Sequence, residues 1–242
     1  MSRPTPTTVV DETRTLRPEF APYLVLMDFL AELLGPRTEV VLHDTSDLGR
    51  SIVALTNGHV SGRTVGGPAT DLVLKVLRNH EDDDRDYLAN YLAQSRTGGS
   101  FRSSTFFVRD PDGAVVGMLC VNIDDEPLSR ARDLLAAMTE TTGLLKGEAG
   151  PAPRADAATP AAVAERFSTD VDELTLESVA RIVAAQGVDP QRMTPDEKLL
   201  TVRELERAGV FLLKGAVARA AEALRVSEPT VYRYLKQVRR AA

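Results

Sequence analysis

Between Gly147 and Ala162 the chain reads GEAGPAPRADAATPAA, a run rich in Ala, Pro and Gly with no hydrophobic period. Such a stretch has no face to offer a core and reads as a linker. It parts the 242 residues into two halves of different character, and the length allows one or two domains. The first 17 residues are polar and Pro/Thr-rich, and read as a disordered leader (1–17). A mixed domain follows (18–146), then the linker (147–170), then a helical domain (171–242).

In the mixed domain, apolar residues recur at helical spacing from Glu19 to Leu34, and Gly35-Pro36 ends the run. EVVLH (39–43) and SIVALT (51–56) have strand character, with Asn57-Gly58 suited to a tight hairpin turn. Ala69 to Asn79 predicts a helix, and Leu88, Tyr91 and Leu92 predict a second after the acidic run Glu81 to Asp86. RSSTFFVR (102–109) and AVVGMLCVNI (114–123) predict a hairpin closed by Asp110-Pro111-Asp112-Gly113. A long amphipathic helix then spans about Glu126 to Lys146. Strands joined by short turns, without βαβ alternation, argue for an antiparallel sheet with helices packed on one side and against a Rossmann-type sheet.

The helical domain begins with Val171 to Gln186. Thr194-Pro195-Asp196-Glu197 is a capping box with Pro at the first helical position, opening a helix to about Arg207. From Lys214 to the end, seven Lys/Arg stand against two Glu, although the whole chain has a formal charge of −6. A basic tail on an acidic body draws phosphate by its local field. Within the tail, Val217, Ala220, Ala221 and Leu224 form one apolar stripe, and Val231, Leu235 and Val238 another. Arg225-Val226-Ser227 joins the two helices, with Val226 filling their angle and Ser227 at the N-cap. Two helices across so short a turn make a helix-turn-helix, whose second helix enters the major groove of double-stranded DNA. Ser227, Glu228, Thr230, Tyr232, Arg233, Lys236 and Gln237 then face the DNA. Thr230 and Arg233 would meet bases, while Lys214, Arg219, Lys236, Arg239 and Arg240 would meet phosphates. The alternative is a helical tail that docks another protein.

The strings Glu39 to Asp44, Ser51 to Ala54, Asn57-Gly-His-Val-Ser-Gly-Arg63 and Gly67-Pro68 through Thr70-Asp71-Leu72 closely resemble the YheO-like PAS domain. Thr201 to Leu205, Lys214 to Val217 and Ser227 to Leu235 resemble the helix-turn-helix domain that accompanies it. The resemblance implies an α+β PAS-like sensor followed by an all-α reader, in a bacterial transcriptional regulator responsive to a small molecule. Some members of the family are linked to amino-acid catabolism, D-amino acids included. A homodimer in the cytoplasm is the expected working form, reading a two-fold DNA site.

In a PAS-like fold the glycine-rich loop from His59 to Pro68 can line a ligand cavity. The polar residues gathered around it are His43, Asp44, Asn57, His59, Ser61, Arg63 and Asp71, with Asn122 on the later hairpin. A zwitterionic amino acid would set its carboxylate on Arg63 and its amine on Asp44 or Asp71. The plainer alternative is that these side chains bond one another and tie the loop down. Nothing points to catalysis. Cys120 lies in an apolar run without the positive charge a reactive thiolate needs. The glycines match neither a P-loop nor a dinucleotide fingerprint. Two histidines at unrelated spacing make no metal site, and the acidic run does not match a calcium loop. No cofactor or metal is therefore expected. No secretory signal or membrane span is expected either, because no apolar run nears the roughly 20 residues that cross a bilayer.

Overall fold

The computed structural model describes residues 7–79, 85–95, 98–139 and 164–241. Seven strands form one sheet: β1 (Val9–Val10), β2 (Thr38–Asp44), β3 (Ile52–Thr56), β4 (Tyr87–Gln94), β5 (Ser100–Arg109), β6 (Val115–Asp124) and β7 (Glu165–Arg166). Their order is β1-β3-β2-β6-β5-β4-β7. Every pairing is antiparallel except that of β7, which runs parallel to β4. The hairpin expected at 110–113 is present, with Gly113 at φ +88° and Asp110 N–H donating to the Ala114 carbonyl.

Strand β2 is buried along its whole length, so side-chain parity sorts its residues. Val40 and Leu42 join Phe20, Met27 and Ala31 under helix α1 (Ala21–Leu34). Val41 faces the other way, toward helix α2 (Asp71–Asn79) and the C-terminal helices. The sheet is thus covered on both faces. The expectation of helices on one side gives way, because α1 and α2 of the same domain pack on opposite faces and the C-terminal helices join α2.

Those C-terminal helices are α4 (Val171–Ala184), α5 (Pro195–Arg207), α6 (Ala216–Ala223) and α7 (Glu228–Ala241); α3 (Glu126–Thr139) precedes them and stands exposed. Asp170 caps α4, accepting from the Asp172 and Glu173 amides, and the Thr194–Glu197 capping box opens α5 as expected. One continuous core runs from Val41, Val73, Leu74 and Met118 of the sheet side into Leu174, Val202, Leu205 and Val210 of the helices. At its centre Gly209 (φ +73°) lies so close to α2 that an added Cβ would stand 2.3 Å from the Leu74 carbonyl oxygen.

Four expectations give way. Residues 7–17 belong to the fold: Val9 and Val10 pair with Leu55 and Ala54, and Arg14 and Arg17 reach Asp44. An edge strand needs little more than its backbone bonds, which composition does not register. Tyr87–Gln94 is a strand instead of a helix. A bulge at Asn90 (φ +57°) puts Leu88 and Tyr91 on one face, and three-residue spacing then imitates a helix. The segment taken as the end of the linker (164–170) carries β7 and the buried Phe167 and Ser168. After β3, Asn57 does take a positive φ, but it leads into a 3-10 turn (Gly58–Val60) and no hairpin. His80, most of the acidic run, the end of the long helix and residues 147–162 lie outside the described residues.

Candidate nucleic-acid interface and buried polar site

Helices α6 and α7 are set by their shared apolar side. Ala220, Ala221, Leu224, Val231, Tyr234, Leu235 and Val238 are all buried, and Val226 packs between the helices. The turn is a Schellman close: Val226 N–H donates to the Ala221 carbonyl and Arg225 N–H to that of Glu222. Arg225 takes φ +54° there, a place usually given to glycine.

This packing leaves Glu228, Tyr232, Arg233, Lys236, Gln237 and Arg240 exposed along α7, with Lys214 and Arg219 exposed around α6. Ser227 is exposed and its hydroxyl lies 3.0 Å from that of Thr230, which is half-buried. Arg239 is engaged: Nε and Nη2 both donate to the Glu206 carboxylate, which also accepts from Arg78 of α2. That bond holds the Arg239 pKa above its ordinary value. Arg219 sits 3.6 Å from Glu222 on its own helix.

In the N-terminal domain, sheet register builds a polar site on the face opposite α1. Tyr91, Ser103, Asn122 and Glu39 stand opposite one another across β4, β5, β6 and β2. Ser103 Oγ donates to Asn122 Oδ1 (2.8 Å), and Asn122 Nδ2 to Glu39 Oε1 (2.9 Å). The loop after β3 lowers Ser61 and Arg63 onto the same carboxylate. Gly58 permits this approach, since a Cβ there would stand 2.8 Å from the Arg63 carbonyl oxygen. The Arg63 and Glu39 side chains are 2% and 0% exposed. Burial works against the Arg63 charge, but the Glu39 charge and hydrogen bond hold its pKa raised, with help from Glu165. Two buried ions cost several kcal/mol each in desolvation, so this pair is poor evidence of stabilisation.

Strand β7 closes the site. Tyr91 donates to Glu165 Oε2 (2.8 Å) and sits 2.7 Å from the Thr105 hydroxyl. The Phe167 ring covers the Arg63 guanidinium at 4.1 Å and meets Phe101 at 5.3 Å. Burial pushes the Glu165 carboxyl upward, against the bonds from Thr70 and Tyr91 and the charge of Arg63. Burial likewise raises the Tyr91 hydroxyl, and lifts the Cys120 thiol to about 12. Cys120 is thus a buried, protonated thiol beside Thr105.

Of the residues singled out in the sequence, Ser61, Arg63 and Asn122 meet here. His43 lies on the same sheet face, two residues beyond Val41, and its low pKa reflects burial first and the Arg63 charge second. Asp71 lies at the rim, accepting from Arg166 N–H (2.7 Å) and from Arg181 of α4 (2.9 Å). Asp44 does not belong: its carboxylate is held by Arg14, Arg17 and the Ser46 amide, so it is no amine receptor. His59 is exposed, and Asn57 donates to the Thr38 carbonyl. Glu39, Thr70, Tyr91, Ser103, Thr105, Glu165, Phe167 and Ser168 escaped notice. Alternate polar residues in RSSTF were the one signal available, since they mark a sheet face that is not fully apolar.

Residues 14–140 match the YheO-like PAS domain, which is just over half of the chain. The chain belongs to the YheO-like PAS family. Residues 174–236 match an HTH domain, which takes in α4 to α7 up to Lys236. A similar protein is the uncharacterised YheO of Escherichia coli K12, 27% identical over 89% of this chain and 82% of its own. An uncharacterised protein of Haemophilus influenzae is 26% identical over 90% of each chain. The transcriptional regulator DauR of Pseudomonas aeruginosa is 25% identical over 92% of this chain and 95% of its own. A PAS domain ahead of an HTH domain is the architecture of a regulator, and an HTH domain implies a DNA partner. Among the described residues, no helix is long and apolar enough to cross a membrane.

Proposed function

We propose that the protein is a cytoplasmic transcriptional regulator, not an enzyme. Its HTH domain binds operator DNA and its PAS domain responds to a small molecule. The observation that carries this is the α7 face: Tyr232, Arg233, Lys236 and Gln237 point outward from a helix held on α6 by the turn geometry of a helix-turn-helix. Arg233, extended over the Tyr234 ring, has the fork that reads guanine. Lys214 beside the α6 N-terminus, with Arg219, Lys236 and Arg240, supplies phosphate contacts. Arg239 serves differently, as a tie between α7 and Glu206. Thr230 shares a hydrogen bond with the Ser227 hydroxyl and has its methyl and remaining hydroxyl capacity to offer a base. The likeness to DauR supports the same reading.

The homodimer rests on uncovered apolar side chains. Leu128, Leu134, Leu135 and Met138 line one side of the exposed α3, and Val25, Phe29 and Leu33 stand out from α1. Such a stripe marks a protein contact.

The test is titration of the chain's own upstream DNA against an unrelated duplex across a salt series. The upstream DNA binds more tightly, and binding weakens steeply with salt as phosphate contacts release counterions. Arg233→Ala with Lys236→Ala abolishes the preference while the fold is kept. Equal affinity of the folded double variant and the native chain for the upstream DNA would favour a tail that docks protein.

A further inference from the structure

We propose that the recess formed by Arg63, Tyr91 and Thr70 is a binding site for a small carboxylic acid with a flat apolar body, and that β7 is its built-in occupant, displaced when the acid binds. This deepens the sensing role assigned above to the PAS domain and rests on it.

The argument starts from what β7 puts into the site. It delivers a carboxyl group, Glu165, to Tyr91 and Thr70, and an aromatic ring, Phe167, onto the guanidinium of Arg63. A carboxyl and a flat ring, set side by side against an arginine, are the parts of an aromatic or similarly flat carboxylic acid. The occupant also fits imperfectly. Arg63 Nη1, Glu165 Oε1 and Ser168 Oγ are buried and have no hydrogen-bond partner among the described residues. Each such group forgoes a hydrogen bond that a matching partner would restore. Two of them, Arg63 Nη1 and Glu165 Oε1, belong to groups of one recess and mark a site whose chemistry its own chain does not complete.

The occupant is also lightly held. β7 is two residues long and lies at the sheet edge. Its segment is fixed to β4 by the Ala164 amide on the Leu92 carbonyl and the Phe167 amide on that of Gln94. Asp71 holds the Arg166 amide and also Arg181, and Asp170, four residues on from Arg166, caps α4. An acid that takes the place of Glu165 and Phe167 therefore loosens the strand that leads directly into the HTH domain.

Chemical rescue tests the site without knowledge of the natural ligand. Glu165→Ala, in the full chain, removes the built-in carboxyl. Its Tm is followed in sodium acetate, propionate and benzoate, against sodium chloride at equal ionic strength. The variant's Tm rises by about 3–5 °C per tenfold increase of the organic acid once binding saturates. The native chain, whose carboxyl is in place, responds less. A folded variant that responds to the organic acids no more than the native chain overturns the proposal. If the variant does not fold, the native chain is examined by hydrogen exchange with benzoate. Faster exchange of the Ala164 and Phe167 amides supports the proposal, and unchanged exchange overturns it. DNA titration of the same samples is read separately, so a regulator that binds DNA but takes no carboxylic acid is told apart from a failure of the regulator reading.

Discussion

His43 is sealed in the sheet and has lost most of its hold on a proton. Ser51 Oγ donates to the Asp44 carbonyl, so it accepts from His43 Nδ1 at 3.1 Å. That leaves the lone pair on Nε2, which is buried without a hydrogen-bond partner among the described residues. Burial first, and the Arg63 charge second, lower the pKa from 6.5 to about 3. The unfolded chain takes up this proton near 6.5 and the folded one does not until about 3. The contribution to stability is therefore whole above pH 6.5 and lost as the pH falls toward 3. The loss runs at about 1.4 kcal/mol per pH unit, or about 2 kcal/mol at pH 5. Urea unfolding at pH 7 and pH 5 shows this drop, and His43→Gln, which has no proton to gain, shows a smaller one. A variant with the full slope would place the acid sensitivity elsewhere.

At the scale of elements, the place where α2 meets the 3-10 turn Val210–Leu212 bears the most steric constraint. Gly209→Ala drives a Cβ into the Leu74 carbonyl and strains a left-handed residue as well. It lowers stability by roughly 2–4 kcal/mol. Gly187→Ala is the control. Its φ is +68° but nothing lies within 4 Å, so it shows the backbone cost alone. Chemical denaturation of the two variants separates contact from conformation, and equal losses would mean that Leu74 yields. The same scale explains what was legible in the sequence. Elements whose periodicity is undisturbed, such as α1, α5, α7 and the β5–β6 hairpin, could be read directly, because their apolar stripes follow the covering they receive. β4 could not, since one residue at φ +57° shifts its phase. β1 and β7 could not, because two-residue edge strands are held by backbone bonds that any composition can make. The buried polar site was half legible. Arg63 and Ser61 lie in a distinctive loop, whereas Glu165 is hidden at the end of an Ala/Pro-rich stretch, and Glu39 inside a strand that looks apolar.

For the whole molecule, the exposed stripe of α3 sets the expected assembly. The expected result in light scattering is a dimer, and Leu134→Glu with Met138→Glu is expected to give a folded monomer whose Tm no longer depends on protein concentration, because neither side chain belongs to the folded core. A monomer grips one half-site where the dimer grips two, so its affinity for a two-fold operator falls about a hundredfold. A variant that remains dimeric would move the interface to α1.

The core that joins sheet to helices has a consequence for exchanging parts between regulators. The two matched segments, 14–140 and 174–236, look like modules that could be cut apart and recombined. The side chains are shared otherwise: Leu74 lies under Gly209, Arg78 and Arg239 clasp one Glu206, and Asp71 grips Arg181. A chimera that borrows this reader must borrow α2 and β7 with it, or inherit a helical domain with one wall missing.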